Sequence, residues 1–328
     1  MSTPRMRAAY VTELGPAERI HVGDLPLPEP GPTDVLVHVD AVAANHVDTY
    51  VRSGLYRTPT PFPFVIGRDL AGTVARTGPG VTGFAPGDRV WCNSLGHGGR
   101  QGSFSTHAVV PADRLYPLPP GVDPVTAVAA LHPAATAFLG LFRDARVRPG
   151  ETVVIGGGAG AVGSCAVTMA ARAGAHVIAT ARPADTPYCH DLGATEVFDY
   201  RDPHLLTHLG KAAPDGVHVY WDTSGHHDIP GVTPLLARGG RVLLTAGISA
   251  RAEIPVGSLY TRDARLLGFA LSNASAADLA DAAALVNRLL TAGTLRVRIG
   301  DILPLDQAAE AHRMLEDGQT TGRVVLRP

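Results

Sequence analysis

The stretch Thr152–Arg182, TVVIGGGAGAVGSCAVTMAARAGAHVIATAR, decides how the rest of the chain is read. Thr152 to Ile155 is a β-branched run of the length of a buried strand. Gly156, Gly157, Gly158 and Gly160 then crowd into a turn, with Gly163 following. From Val162 to Arg172 the pattern is helical, with Val162, Ala166, Met169 and Ala170 on one face. Gly174 stands where a helix is expected to end, and His176–Thr180 reads as a second strand. Strand, glycine turn, helix and strand make a βαβ unit. Gly158-x-Gly160-x-x-Gly163 fits a dinucleotide turn. The first glycine permits the bend, the second admits a pyrophosphate, and the third lets helix and strand pack closely. The anion is expected on free N–H groups of the helix N-terminus, around Ala161, Val162 and Gly163.

Outward from this unit, strands and helices alternate. Val217–Trp221 leads into Asp222–Gly225, Arg241–Thr245 into Ala246–Gly247, and Ala264–Leu271 reads as a sixth strand. Such alternation implies an α/β doubly wound parallel sheet with ligand loops at the strand carboxyl ends. The first third differs. Short runs at Val35–Val39, Ala71–Ala75, Asp88–Cys92 and Thr106–Val110 are punctuated by Pro and Gly turns, without helix periodicity, and suggest a β-rich domain. Leu118–Gly121 reads as a boundary, followed by a helix capped by Asp123 and interrupted at Pro133. Ala276–Thr291 reads as a helix, then a helix over Leu305–Leu315 and a strand at Arg323–Leu326 return to the first domain. The expected domains are residues 1–122 with 272–328, and 123–271.

Composition narrows function. A net charge of −2 gives no electrostatic case for nucleic acid or an anionic membrane. No run is expected to be apolar enough to span a bilayer, and the N-terminus lacks a signal-peptide core. Cys92, Cys165 and Cys189 are scattered and odd in number, which suits a reducing cytoplasm. Lys211 is the only lysine, so no other residue can be a catalytic lysine.

The second strand ends in Thr180-Ala181-Arg182. NAD enzymes carry an acid there for the ribose 2′-OH; an arginine can instead pair the 2′-phosphate of NADP. NADPH is therefore the expected cofactor, the other reading of Arg182 being a solvated loop residue.

Asn45–Tyr56, Gly67-Arg-Asp-Leu-Ala-Gly-Thr-Val74, Gly87–Val90, Gly99–Gly102, Arg148–Glu151, Leu192–Ala194, Asp199-Tyr-Arg201 and Thr321–Leu326 resemble the zeta-crystallin-type quinone oxidoreductases. These are a zinc-independent branch of the medium-chain dehydrogenase/reductases. The resemblance implies a GroES-like catalytic domain, a Rossmann domain, a cleft between them and a homodimer. It implies that Asn45 and Tyr56 line the nicotinamide–substrate cleft, with Tyr50. Thr136 would lie near the nicotinamide or its ribose. Arg182, Tyr200 and Arg323 would surround the adenosine phosphate. The Thr245–Gly247 and Leu271–Asn273 loops would flank the nicotinamide, and Thr180 and Thr223 belong to the same cofactor set. The family's second turn glycine is replaced by Ala161.

In zinc-bearing relatives the metal-ligand positions correspond to Asn45, Arg68 and His132 here, and the four structural-zinc cysteines are missing. No metal is expected. Catalysis then rests on positioning, with Tyr56 donating a hydrogen bond and Asn45 placing the carbonyl. In the alternative, Tyr56 packs the loop and Asn45 caps a turn. His132 is either a second donor or structural, and His46 is uncommon at a position near the cleft. The expected reaction is hydride transfer from NADPH to a quinone or related α,β-unsaturated carbonyl. The alternatives are an enoyl-thioester or alkenal reductase, and a non-catalytic crystallin-like or RNA-binding protein.

Overall fold

The computed structural model describes residues 4–328. Contacts divide the chain into two units, Met1–His132 with Ala274–Gly293 and Val297–Pro328, and Pro133–Asn273 with Thr294–Arg296.

The second unit carries a six-stranded sheet, parallel throughout. Its strands in chain order are Thr152–Gly156, His176–Ala181, Glu196–Asp199, Val217–Asp222, Leu236–Leu244 and Arg265–Gly268. Their order across the sheet, counted in that sequence, is 3-2-1-4-5-6. The order reverses beside Thr152–Gly156, the crevice position where such sheets bind dinucleotides. Central strands such as VVI at 153–155 are apolar on both faces because helices cover both. The sixth strand is shorter than the sequence suggests. Ala264 and Phe269 lie outside it, and Leu271–Asn273 is a 3-10 turn.

In the first unit a seven-stranded sheet runs Ile299–Pro304, Arg323–Arg327, Asp34–Ala43, Asp69–Thr77, Arg89–Cys92 and Tyr116–Pro117, with His107–Pro111 also pairing Asp34–Ala43. A three-stranded sheet centres on Arg5–Val11. Among the described residues of this unit, every strand pairing is antiparallel except the one between Ile299–Pro304 and Arg323–Arg327. The core between the layers gathers Val35, Val37, Ile66, Leu70, Phe104, Leu305 and Leu315. Helix Ala276–Thr291 belongs to this unit. Its Asn287 accepts from Trp91 Nε1 at 2.9 Å and donates to the Pro117 carbonyl at 3.0 Å.

Three local expectations change. A helix, His46–Ser53, lies in the stretch that showed no helix periodicity. Its eight residues are too few to display a period, but Asn45 and Asp48 close a capping box, and Gly54 ends it at φ 83°. The helix after Asp123 runs through Pro133 to Phe138 and continues as a wide π-type stretch, Leu139–Asp144. The unit boundary falls inside it, at His132–Pro133, whereas the sequence places it at 122. The 21 residues Pro124–Asp144 are also long and apolar enough to cross a membrane, contrary to the expectation that no run is; 78% of the most apolar window is buried inside the protein, as in a core helix.

Candidate active site

In the second unit the glycine turn is held from two sides. Gly158 N donates to the Thr180 carbonyl at 2.8 Å, and Gly157, at φ 71°, has its N–H 3.3 Å from Thr180 Oγ1. A Cβ on Gly163 would lie 2.1 Å from the Gly157 carbonyl, so only glycine lets the helix approach the turn. At Gly160 the nearest atom to such a Cβ is 3.2 Å away, so packing does not force that glycine. Backbone access for a ligand is what it provides. Helix Ala161–Arg172 begins at Gly160 with no side-chain cap, which leaves its first N–H groups available to an anion. The turn therefore fits a pyrophosphate. Thr223 belongs to the scaffold of this turn, since its N–H and Oγ1 both donate to the Gly156 carbonyl, at 3.0 and 2.8 Å.

Strand register places the proposed phosphate contacts. Ala181 pairs with Asp199, so Arg182 and Tyr200 leave adjacent strands at the same end. Arg201, whose role was not read from the sequence, joins them. Its guanidinium lies 5.2 Å over the Tyr200 ring and donates to the Tyr200 hydroxyl at 3.1 Å. Arg182 is half exposed and its Nε bonds Asp185 at 2.9 Å. The acid missing from the strand end is thus supplied three residues later, and part of Arg182's charge is already matched. Ala246, at φ 65°, and Gly247, at φ 62°, shape the loop after Leu236–Leu244, and Trp221 Nε1 donates to Thr245 Oγ1 at 2.8 Å. Thr136 is half-buried on the long helix and Leu271 is buried.

In the first unit, neighbouring strands bring a polar network to one place. Ala43 pairs with Asp69 and, on its other side, with Val325, so Asn45, Asp69 and Arg323 sit at the same end of three adjacent strands. Asn45 is buried, 3% exposed. Its amide donates to the Ala43 carbonyl at 3.2 Å and Asp69 Oδ2 at 3.1 Å, and its oxygen accepts from Arg323 Nη2 at 2.7 Å. Its backbone N–H donates to Asp48 Oδ2 at 2.8 Å. Both functions of the amide are engaged, so the Asn45 side chain joins strands while Asp48 holds its backbone N–H at the helix start; the expectation that Asn45 places a substrate carbonyl is corrected.

Arg323 is corrected as well. It is buried within the first unit, and its Nε donates to the Ala129 carbonyl at 3.1 Å. Pro133, four residues after Ala129, has no N–H, so that carbonyl lacks its helical donor and the arginine supplies one. A guanidinium committed to Ala129 and Asn45 does not serve as an exposed phosphate ligand.

The network is electrostatically tense. Burial raises Asp48 to about 6, against the pull of Arg68 and the Asn45 hydrogen bonds. Burial also raises Asp69 well above the carboxylate range, and the neighbouring Asp48 adds to this while Arg323 opposes it. His132 Nδ1 lies 3.7 Å from Asp69 Oδ1. Burial, with Arg68 and Arg323, lowers His132 to about 3, so it is a neutral imidazole at pH 7 and not an acid. Tyr56 is half-buried, its ring packed on the core and 5.8 Å from that of His97. Its N–H donates to the Tyr50 carbonyl at 2.9 Å. Tyr50 is half-buried, and burial raises its phenol. Among the described residues no three His, Cys, Asp or Glu side chains are grouped to hold a metal.

Residues 31–120 match the alcohol dehydrogenase GroES-like domain family, and residues 161–288 match the zinc-binding dehydrogenase family. The mouse quinone oxidoreductase is 31% identical over 327 residues, covering 98% of this chain and 97% of that protein. A solved NAD-dependent alcohol dehydrogenase is 33% identical with a TM-score of 0.88, covering 98% of this chain and all of that one. A mycobacterial protein solved in complex with NADPH is 30% identical with a TM-score of 0.86, at the same coverage. With a GroES-like unit, a 3-2-1-4-5-6 Rossmann sheet and full-length similarity to quinone oxidoreductases, this chain belongs to the quinone oxidoreductase branch of the medium-chain dehydrogenase/reductase superfamily.

Proposed function

We propose that the protein is an NADPH-dependent, zinc-independent reductase of quinones or related α,β-unsaturated carbonyls. The observation that carries the nucleotide is the Gly156–Gly160 turn above an uncapped helix. Gly158, Gly160, Ala161, Val162 and Gly163 would receive the pyrophosphate, and Arg182, Arg201 and Tyr200 the adenosine phosphate, while Thr180 and Thr223 hold the turn. Thr136, Ala246, Gly247, Leu271 and Asn273 would contact the nicotinamide half. The nicotinamide supplies the hydride. Tyr56 would donate to the acceptor oxygen. Zinc independence is supported by the donor set: an amide at 45 and a guanidinium at 68 stand where a metal would need ligands, and the cation would repel it. We also propose a homodimer, supported by the edge strand Arg265–Gly268 and by the exposed Ile254, Val256 and Tyr260 of the same unit. The three free, buried cysteines suit a cytoplasmic location.

Oxidation of NADPH and of NADH with 1,4-benzoquinone, an alkenal and a crotonyl thioester tests the reading. Turnover is expected with NADPH and a quinone or enone. Arg182→Ala should raise KM for NADPH about tenfold, the worth of one charge-assisted contact, and leave KM for NADH unchanged. Equal turnover with NADH would refute the cofactor assignment.

A further inference from the structure

Arg68 is the largest unexplained group in the first unit. Its side chain is 1% exposed, yet among the described residues Nε, Nη1 and Nη2 have no hydrogen-bond partner. The one ion pair is long, Nε to Asp48 Oδ1 at 3.9 Å. A buried guanidinium carries five donors and leaves none idle without cost. Its backbone is fixed. Gly67 sits at φ 96° where a Cβ would meet Phe104 at 2.1 Å, Ser103 N donates to the Gly67 carbonyl, and Leu95 N donates to the Arg68 carbonyl. Its charge is also crowded. Arg68 and Arg323 share Asp48 and Asp69, with Arg100 close enough to repel Arg68 and itself facing Asp113. Of the groups that sense the Arg68 charge, Tyr56, His97 and His132 keep part of their surface open.

We propose that the Arg68 guanidinium is an oxygen-binding group that takes the carbonyl oxygen of the acceptor, or a carboxylate, beside Tyr56. This rests on the reductase reading for its catalytic role. When the acceptor receives hydride from NADPH, a C–H bond forms at its carbon and its π pair moves onto the oxygen. The nicotinamide is left oxidised, and the oxyanion takes a proton from solvent. A fixed cation at that oxygen favours the charge that develops there, as a metal does in zinc-bearing enzymes.

The test uses Arg68→Met, Arg68→Lys and benzoate, a carboxylate with a planar ring, on the full-length protein. Wild-type protein should bind benzoate by calorimetry, with and without NADPH, and benzoate should compete with the acceptor. Arg68→Met should abolish benzoate binding and lower kcat/KM for the acceptor about 100- to 1000-fold, with the Kd for NADPH within about twofold. Arg68→Lys should recover part of both. Benzoate that neither binds nor competes in the wild type would overturn the proposal without any variant. So would an Arg68→Met protein that keeps benzoate affinity. If no acceptor is reduced but Arg68→Met still abolishes benzoate binding, the reductase reading fails and the anion site stands.

Discussion

Tyr56 keeps its ring against the core while part of its surface stays open. Phe at this position retains the packing and removes only the donor. Tyr56→Phe is expected to lower kcat about 10- to 100-fold with little change in melting temperature. Unchanged turnover in a steady-state assay would remove the hydroxyl from the chemistry. His312 is the opposite case, a buried side chain with no reaction to serve. It is 0% exposed, packs edge-on to Phe104 and has no partner for either ring nitrogen among the described residues. Burial, with Arg52 nearby, lowers it to about 3. Between pH 6.5 and 3 the unfolded chain therefore binds one proton that the folded protein refuses. Stability is lost as pH falls through that window, by about 1.4 kcal/mol per pH unit for this one group. His132 adds a slope of the same sign, and Asp48, raised to about 6, opposes it above pH 4. His312→Leu should flatten the acid limb of urea-unfolding free energy against pH by about one proton. An unaltered slope would show that His312 does not carry it.

At the scale of elements, much could be read directly. The βαβ unit was legible because each glycine there has one steric use, and the β-branched runs around it are long enough to show their period. Helix His46–Ser53 was legible only through its ends, Asn45-x-x-Asp48 and Gly54, because eight residues give no period. The pairing of Arg323 with Ala129 could not be read at all. It joins residues 194 apart through a carbonyl whose lack of a partner is known only once the helix is seen to pass through Pro133. The motif Arg148–Glu151 is likewise explained by a distant partner. Glu151 takes both Nη groups of Arg241, at 3.0 and 2.7 Å, while Arg241 Nε holds the Ala145 carbonyl. This pins the turn before the first parallel strand to Leu236–Leu244. Glu151→Gln should cost about 2–3 kcal/mol in urea unfolding, since it leaves a largely buried guanidinium short of its counter-charge. A loss under about 0.5 kcal/mol would mean that the pair is effectively solvated.

At the scale of the molecule, the second unit leaves Val256 66% and Tyr260 71% exposed, close in sequence to an unpaired strand edge. If two copies meet there, light scattering should report twice the 34.1 kDa chain mass, and Tyr260→Asp should return the protein to monomer. A wild-type monomer at micromolar concentration would reject the arrangement.

The strand Arg323–Arg327 lies inside the first unit's sheet, with Ile299–Pro304 on one side and Asp34–Ala43 on the other. A ribosome delivers it after every other strand of that sheet. The first unit therefore begins to emerge before the second but cannot close until Arg323–Arg327 has been made, whereas nearly all of the second unit, 133–273, is contiguous and out before then. Until then the growing chain holds Asp34–Ala43 with one edge open, waiting for a partner about 280 residues downstream.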